Sequence, residues 1–248
     1  MPLFDPKSLQ PGVPRKEVFA WAMYDFANSG YTTVVLTAVF NAYFVGVVMQ
    51  GAPAATLAWT LLLSASYVIG MLVMPALGAY ADVHARKKLL LGIVTAICVV
   101  STALLALVGE GDLWLAAPLI IISNLCFAAG VTFNSAFLPE LARPEALGKV
   151  SGWGWSIGYL GGLLALALCL AWVLAAQGRG EPATQYVPVT LLITAALFAL
   201  ASIPAFTVLR ERAQPQSQMT VASVVRESTA RLWHTLANIH AYRDFGWL

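Results

Sequence analysis

Six stretches of this 248-residue chain contain no Lys or Arg and are each long enough to cross a bilayer: 19–48, 57–78, 89–108, 113–137, 150–176 and 187–209. A hydrocarbon core of about 30 Å takes about 20 apolar residues as a helix. Backbone inside that core must satisfy its own hydrogen bonds, which leaves helices or closed barrels. Barrel strands alternate polar and apolar residues over segments of about ten, and these runs are longer and uniformly apolar. The sequence therefore predicts an all-α integral membrane protein, a bundle of six transmembrane helices spanning 19–209 behind a polar N-terminus at 1–18. Charged residues make up 10% of the chain, against about a quarter in soluble domains.

The few charges are unevenly placed. Lys7, Arg15 and Lys16 precede the first run, Arg86, Lys87 and Lys88 follow the second, Arg143 and Lys149 follow the fourth, and Arg210, Arg212, Arg226, Arg231 and Arg243 follow the sixth. Only Arg179 falls on the other side. By the positive-inside rule both termini and the even-numbered loops are expected in the cytoplasm. The net charge of +2 then reflects topology and gives no sign of nucleic acid; the first partner is the lipid bilayer. No apolar signal segment precedes residue 19, so the first span itself is expected to direct insertion. Cys98, Cys126 and Cys169 fall within the runs and read as small buried hydrophobes.

After the sixth run, residues 210–242 read as a cytoplasmic linker and amphipathic helix. Val221, Val225, Leu232, Leu236 and Ile239 share one face while Arg226, Glu227, Arg231, His234 and Asn238 turn away. Such a helix lies along the membrane surface or docks on the second loop. Residues 243–248 read as the start of a truncated seventh span, as in the first half of a twelve-span transporter. Spans one to three and four to six show no alignable repeat.

Four groups of residues are candidates for function. The connection GAYADVHARKK (78–88) is expected as a loop between two spans. In it Gly78 lets helices approach, Asp82 can cap the following turn, and Arg86, beside Lys87, can reach a carboxylate, with Glu140 the most available. Part of this charge is explained by topology alone. On span one, Asp25, Asn28, Ser29 and Thr32 recur at i, i+3, i+4 and i+7 as a polar stripe. Asp25 is the only acidic residue of the six runs; a gating, helix-packing or proton-coupling role is expected of it. Interfacial placement is the alternative, since 27–48 alone is long enough to span. On span four, Ser123, Gly130 and Asn134 share a face beside Asn124. Such groups either bond a neighbouring helix, worth about 0.6 kcal/mol, or line a cavity. On span five, Gly154, Gly158 and Gly162 recur every four residues with Gly161 alongside, a stripe for close helix packing. Trp153, Trp155 and Tyr159 near the same end read as an interfacial aromatic belt.

No nucleotide-binding GxxxxGK loop is present. His84, His234 and His240 lack metal-ligand spacing within a span, and no Ser/His/Asp set is positioned there. No catalytic residue, metal or cofactor is therefore expected, and transport would draw on a gradient.

Gly78, Asp82, Arg86 and Lys87 resemble the signature between spans two and three of the major facilitator superfamily. Val83 stands where Arg is usual and Ala85 where Gly is usual. The segments EVFAWAMYDFANSGYTTVV (17–35) and KVSGWGWSIGYLGGLLAL (149–166) are similar to the branch of fungal vacuolar amino-acid exporters and their bacterial relatives. The resemblance implies the N-terminal half of a major facilitator fold, with the signature, together with Glu140, acting as a conformational latch between halves. It implies that the first and fourth spans border a central pathway, with Asn28, Thr32, Asn124 and Asn134 as substrate contacts. The implied activity is alternating-access transport of a small polar solute, amino acids being the favoured class, in the bacterial inner (cell) membrane. A second half-transporter chain or a homodimer would complete the cavity. The alternatives are a drug or metabolite exporter, and a non-transporting six-span remnant serving as a packing or regulatory partner.

Overall fold

Charge marks where a helix must leave hydrocarbon, but it does not end the helix, and in this protein the first five spans take charged residues into their ends. The computed structural model describes residues 4–214 together with Ser223, Arg226 and Ala230. Apart from those three positions, which are helical, the expected amphipathic helix at 221–239 lies outside this described part, as does the start of a seventh span at 243–248. The described residues contain six helices long and apolar enough to cross a membrane: α1 (Arg15–Val48), α2 (Ala55–His84), α3 (Lys87–Leu107), α4 (Leu113–Leu141), α5 (Pro144–Gly178) and α6 (Ala183–Val208). Among the described residues there is no strand, only an isolated bridge between Leu9 and Ala142. The fold is an all-α six-span membrane bundle.

The expected loop at 78–88 is largely helix. Nothing between Gly78 and His84 breaks α2, and one internal glycine costs only about 1 kcal/mol, so Gly78 and Asp82 sit on the last turns of the helix. The chain reverses at Ala85, in the left-handed region (φ 49°, ψ 54°), and the Arg86 N–H bonds back to the Ala81 carbonyl at 3.0 Å. Left-handed helix caps favour glycine. The position where the family pattern has Gly and this chain has Ala is therefore the one place in the turn where a Cβ is strained.

Helix α1 is irregular. Tyr31–Ala38 and Phe44–Val48 are wound as π-helix, on either side of a break at Val39. Two side chains compensate the altered winding by reaching back five residues: Thr37 Oγ1 donates to the Thr32 carbonyl at 2.7 Å and Asn41 Nδ2 to the Leu36 carbonyl at 3.3 Å. π-Turns of this kind recur at functional sites.

Helix α1 is also the hub of the bundle, packed on α5 and α6, while α4 lies against α3 and α2. The α5 glycines account for the approach to α1. A Cβ built on Gly161 would collide with the backbone of Phe26; on Gly154 it would meet the Trp21 ring at 2.8 Å and Asp25 Oδ2 at 2.9 Å. On Gly158 it would meet Ser29 Oγ, and on Gly162 Thr33 Cγ2, each at 3.2 Å. Across α1, Gly130 of α4 makes room for the Tyr24 hydroxyl, which hydrogen-bonds Thr95 at 2.8 Å. Tyr31 stacks on Phe127 and shares a 2.8 Å hydrogen bond with Ser123, and Trp21 Nε1 donates to the Asn134 carbonyl at 2.8 Å. The three cysteines are free and buried.

Two segments outside the spans close the basic end of the bundle. The N-terminal segment pairs with the α4–α5 connection: the Gln10 N–H donates to the Leu141 carbonyl at 3.0 Å and the Arg143 N–H to the Ser8 carbonyl at 3.1 Å. Lys149 reaches Asp5 at 3.5 Å. The Lys7 backbone N–H and this cation hold the Asp5 carboxyl below the usual carboxylate range. After α6, residues 209–212 cross the helix ends. Glu17, only 1% exposed, accepts two hydrogen bonds from the Arg212 guanidinium at 2.6 and 2.8 Å and one from the Arg210 N–H at 2.9 Å. Those bonds push the Arg212 guanidinium above its ordinary value. Glu211 accepts from the N–H groups of Lys87 at 2.6 Å and Lys88 at 3.2 Å, capping the start of α3.

Gly161→Ala should destabilise the bundle by about 3 kcal/mol, because α1 and α5 would have to separate. Gly78→Ala, where a Cβ meets nothing within 4 Å, should gain about 1 kcal/mol of helix propensity. Thermal unfolding of the purified chain in detergent checks both, and a loss at Gly78 would mean that its face is already packed. By the same measurement Arg212→Ala should cost about 2 kcal/mol, since it strips the charged hydrogen bonds from a carboxylate that stays buried.

Candidate functional site

Where α1 meets α5 on the side away from α6, the polar stripe of α1 lines a groove of about 400 Å³. Asp25, Asn28, Ser29, Thr32 and Thr33 form one wall. The other is built from Trp155, Gly158, Tyr159, Gly162, Leu163 and Leu166 of α5, with Val131 of α4 at the margin. The same glycines that let the two helices touch leave this wall low, so that the α1 side chains face open space.

Asp25 is partly buried and held from behind: Asn134 Nδ2 of α4 donates to its Oδ1 at 3.2 Å. Among the described residues it has no ion-pair partner. Asn28, 7% exposed, is among the residues that line the groove, and its buried Nδ2 has no hydrogen-bond partner. Thr32 is exposed into it. Ser29 Oγ donates to the Asp25 carbonyl at 2.7 Å, so this hydroxyl is spent on its own helix.

Asn124 and Asn134 do not line the groove. Asn124 is fully buried, and its Nδ2 donates to Ser66 Oγ at 2.5 Å, fastening α4 to α2. Asn134 is buried behind Asp25 and orients it. The expected aromatic belt also divides. Trp155 and Tyr159, 66% and 67% exposed, stand in the groove wall. Trp153 instead packs edge-on against Phe4, with the Lys149 ammonium 5.4 Å from its ring centre.

The signature residues form a second, polar site at the basic end. Lys87, the first residue of α3, reaches Glu140 at 3.2 Å and Asp82 at 3.7 Å. Glu140 was the partner expected for Arg86. The reversal at Ala85 instead leaves Arg86 beside α2, where its guanidinium donates to the Tyr80 hydroxyl at 3.3 Å. The second Glu140 oxygen accepts the Arg212 N–H at 2.8 Å. The Asp82 side chain remains 61% exposed and Gly78 faces open space. Most of the signature is thus tied within this chain, while Gly78 and the exposed side of Asp82, which keeps its contact to Lys87, stay accessible. Sequence reasoning missed Glu17, Arg210, Glu211 and Arg212 as a unit. The signal available was an acidic residue, Glu17, next to Arg15 and Lys16 at the mouth of the first span.

The family model described as vacuole effluxer Atg22 like matches residues 13–148 and 145–247. The uncharacterized MFS-type transporter YxiO of Bacillus subtilis (strain 168) is 29% identical over 235 residues, covering 92% of this chain and 54% of YxiO. The chain therefore spans about half the length of the curated relative it matches. No solved structure matches it. Because the family match runs through all six helices and both sites, the chain belongs to the Atg22-like vacuole effluxer family of major-facilitator-type transporters.

Proposed function

We propose that the chain forms the first half of a secondary transporter that moves a small polar solute, amino acids being the favoured class, by alternating access along the α1–α5 groove. The observation that supports this most is the groove itself: a polar, carboxylate-bearing wall on an otherwise apolar bundle, open on one side. Polar and ionisable groups inside a span are costly and face a pathway or a partner. A second bundle, as a separate half-transporter chain or a second copy of this chain, would supply the missing wall.

In this reading the basic end lies in the cytoplasm, and the exposed Asp82 and Gly78 of α2 meet the second half when the pathway is closed on that side. Lys87 and Glu140 brace the turn that presents them. Asp25, as the ionisable group of the groove, serves gating or proton coupling, and the gradient supplies the driving force.

The test is uptake of a labelled amino-acid mixture into inverted membranes or proteoliposomes under an imposed proton gradient, with and without a C-terminal half. Gradient-driven uptake is expected only when the pathway is complete. Absence of flux in both preparations would favour the non-transporting remnant, and flux confined to other solutes would favour a drug or metabolite exporter. In a preparation that transports, Asp25→Asn should abolish the dependence on the proton gradient. Asp82→Asn should leave insertion intact and lower the transport rate; an unchanged rate would remove the latch.

A further inference from the structure

Among the described residues, charge in the groove has one sign: Asp25 is its carboxylate, and none of the lining residues is Lys, Arg or His. A carboxylate in a membrane span is normally paired with a cation. Among the described residues its one side-chain partner is the neutral amide of Asn134, which orients the group without balancing its charge. Opposite stand two aromatic side chains, Trp155 and Tyr159, in edge contact with ring centres 6.2 Å apart. Both are well exposed and line the groove. Aromatic faces attract cations that come within about 6 Å, so carboxylate and rings favour the same kind of ligand group.

A second, independent feature points to a ligand. Asn28 is 93% buried by its 7% exposure, lines the groove, and has an Nδ2 with no partner. An unsatisfied buried donor costs about 1–3 kcal/mol, a cost removed when a ligand brings an acceptor. Asn28 lies three residues beyond Asp25 on the same face, a spacing of about 5–6 Å between Cβ atoms. One small molecule therefore meets both groups at once if it carries a cation and an acceptor a few bonds apart.

We propose that the solute is held in this groove by a protonated amine. Asp25 is its counter-ion, Trp155 and Tyr159 form the aromatic wall beside it, and Asn28 Nδ2 donates to an acceptor on the same molecule. Solutes that are anionic and lack an amine meet an unbalanced like charge and are rejected. The assignment rests on reading the groove as the transport pathway.

Three probes with a common carbon skeleton separate the groups: L-leucine, with amine and carboxylate; isopentylamine, with the amine alone; and 4-methylpentanoate, with the carboxylate alone. In membrane vesicles from the source organism, where every partner is present, each probe competes against counterflow of a labelled amino-acid mixture, an exchange that needs no proton gradient. In parallel, the unfolding temperature of the purified chain is read with each probe. L-Leucine and isopentylamine should inhibit gene-dependent counterflow and raise the unfolding temperature, and 4-methylpentanoate should do neither. Asp25→Asn should weaken the amine by about tenfold or more, the size expected for one lost charged hydrogen bond. Asp25→Glu should recover part of that loss, and Trp155→Ala should lower amine affinity severalfold.

If 4-methylpentanoate competes as well as isopentylamine, or if Asp25→Asn keeps the preference for the amine, the assignment is overturned while the flux still supports transport. If no gene-dependent flux is found but isopentylamine alone stabilises the chain, the transport reading falls and the amine site stands. A chain stabilised by none of the probes, with no flux, overturns both.

Discussion

The near-contact of α1 and α5 is the constraint on which the rest depends. Lipid tails are as apolar as leucine, so helices in a bilayer gain little by hiding apolar surface from them and must be held by close packing and hydrogen bonds. Gly161 brings the α5 backbone against Phe26, while Gly154 and Gly158 admit Trp21, Asp25 and Ser29. Once α1 is seated there, its remaining faces are fixed. Tyr24 and Tyr31 reach α3 and α4 to bond Thr95 and Ser123. The polar stripe is left to face the space that the glycines have opened. Packing and groove are two consequences of one row of missing side chains.

The architecture was legible in the sequence because hydrocarbon permits so few backbone solutions; six runs of sufficient length without Lys or Arg leave a helical bundle and little else. The α1 stripe was legible for a related reason, since Asp25, Asn28 and Thr32 keep helical spacing and all three line the groove. Helix ends were not legible. Lys and Arg report depth in the membrane, and α2 continues through Asp82 to His84 after its uncharged run is over. Nor could the sequence distinguish Asn28 from Asn124. Both are amides on long apolar helices, and only the position of Ser66, 58 residues away, makes one a fastener and leaves the other unpartnered.

The contacts at the basic end were hidden by distance along the chain. Glu17 and Arg212 are 195 positions apart, and neither has a local pattern that names the other. The strain at Ala85 is a different case. The sequence showed that an alanine replaces the family's glycine there, and the structure gives the physical meaning: a Cβ in the left-handed region at the point where α2 turns into α3.

The bond between Arg212 and Glu17 makes the segment after α6 mechanically continuous with the first turn of α1. Two parallel hydrogen bonds to a buried carboxylate, rather than a slack tether, join it to the foot of the helix that carries Asp25. Glu211, bound to the start of α3, and Glu140, bound to the Arg212 N–H, extend that attachment to three helices. At the basic end of the bundle the chain leaving α6 is thus stitched to α1, α3 and α4 within three consecutive residues.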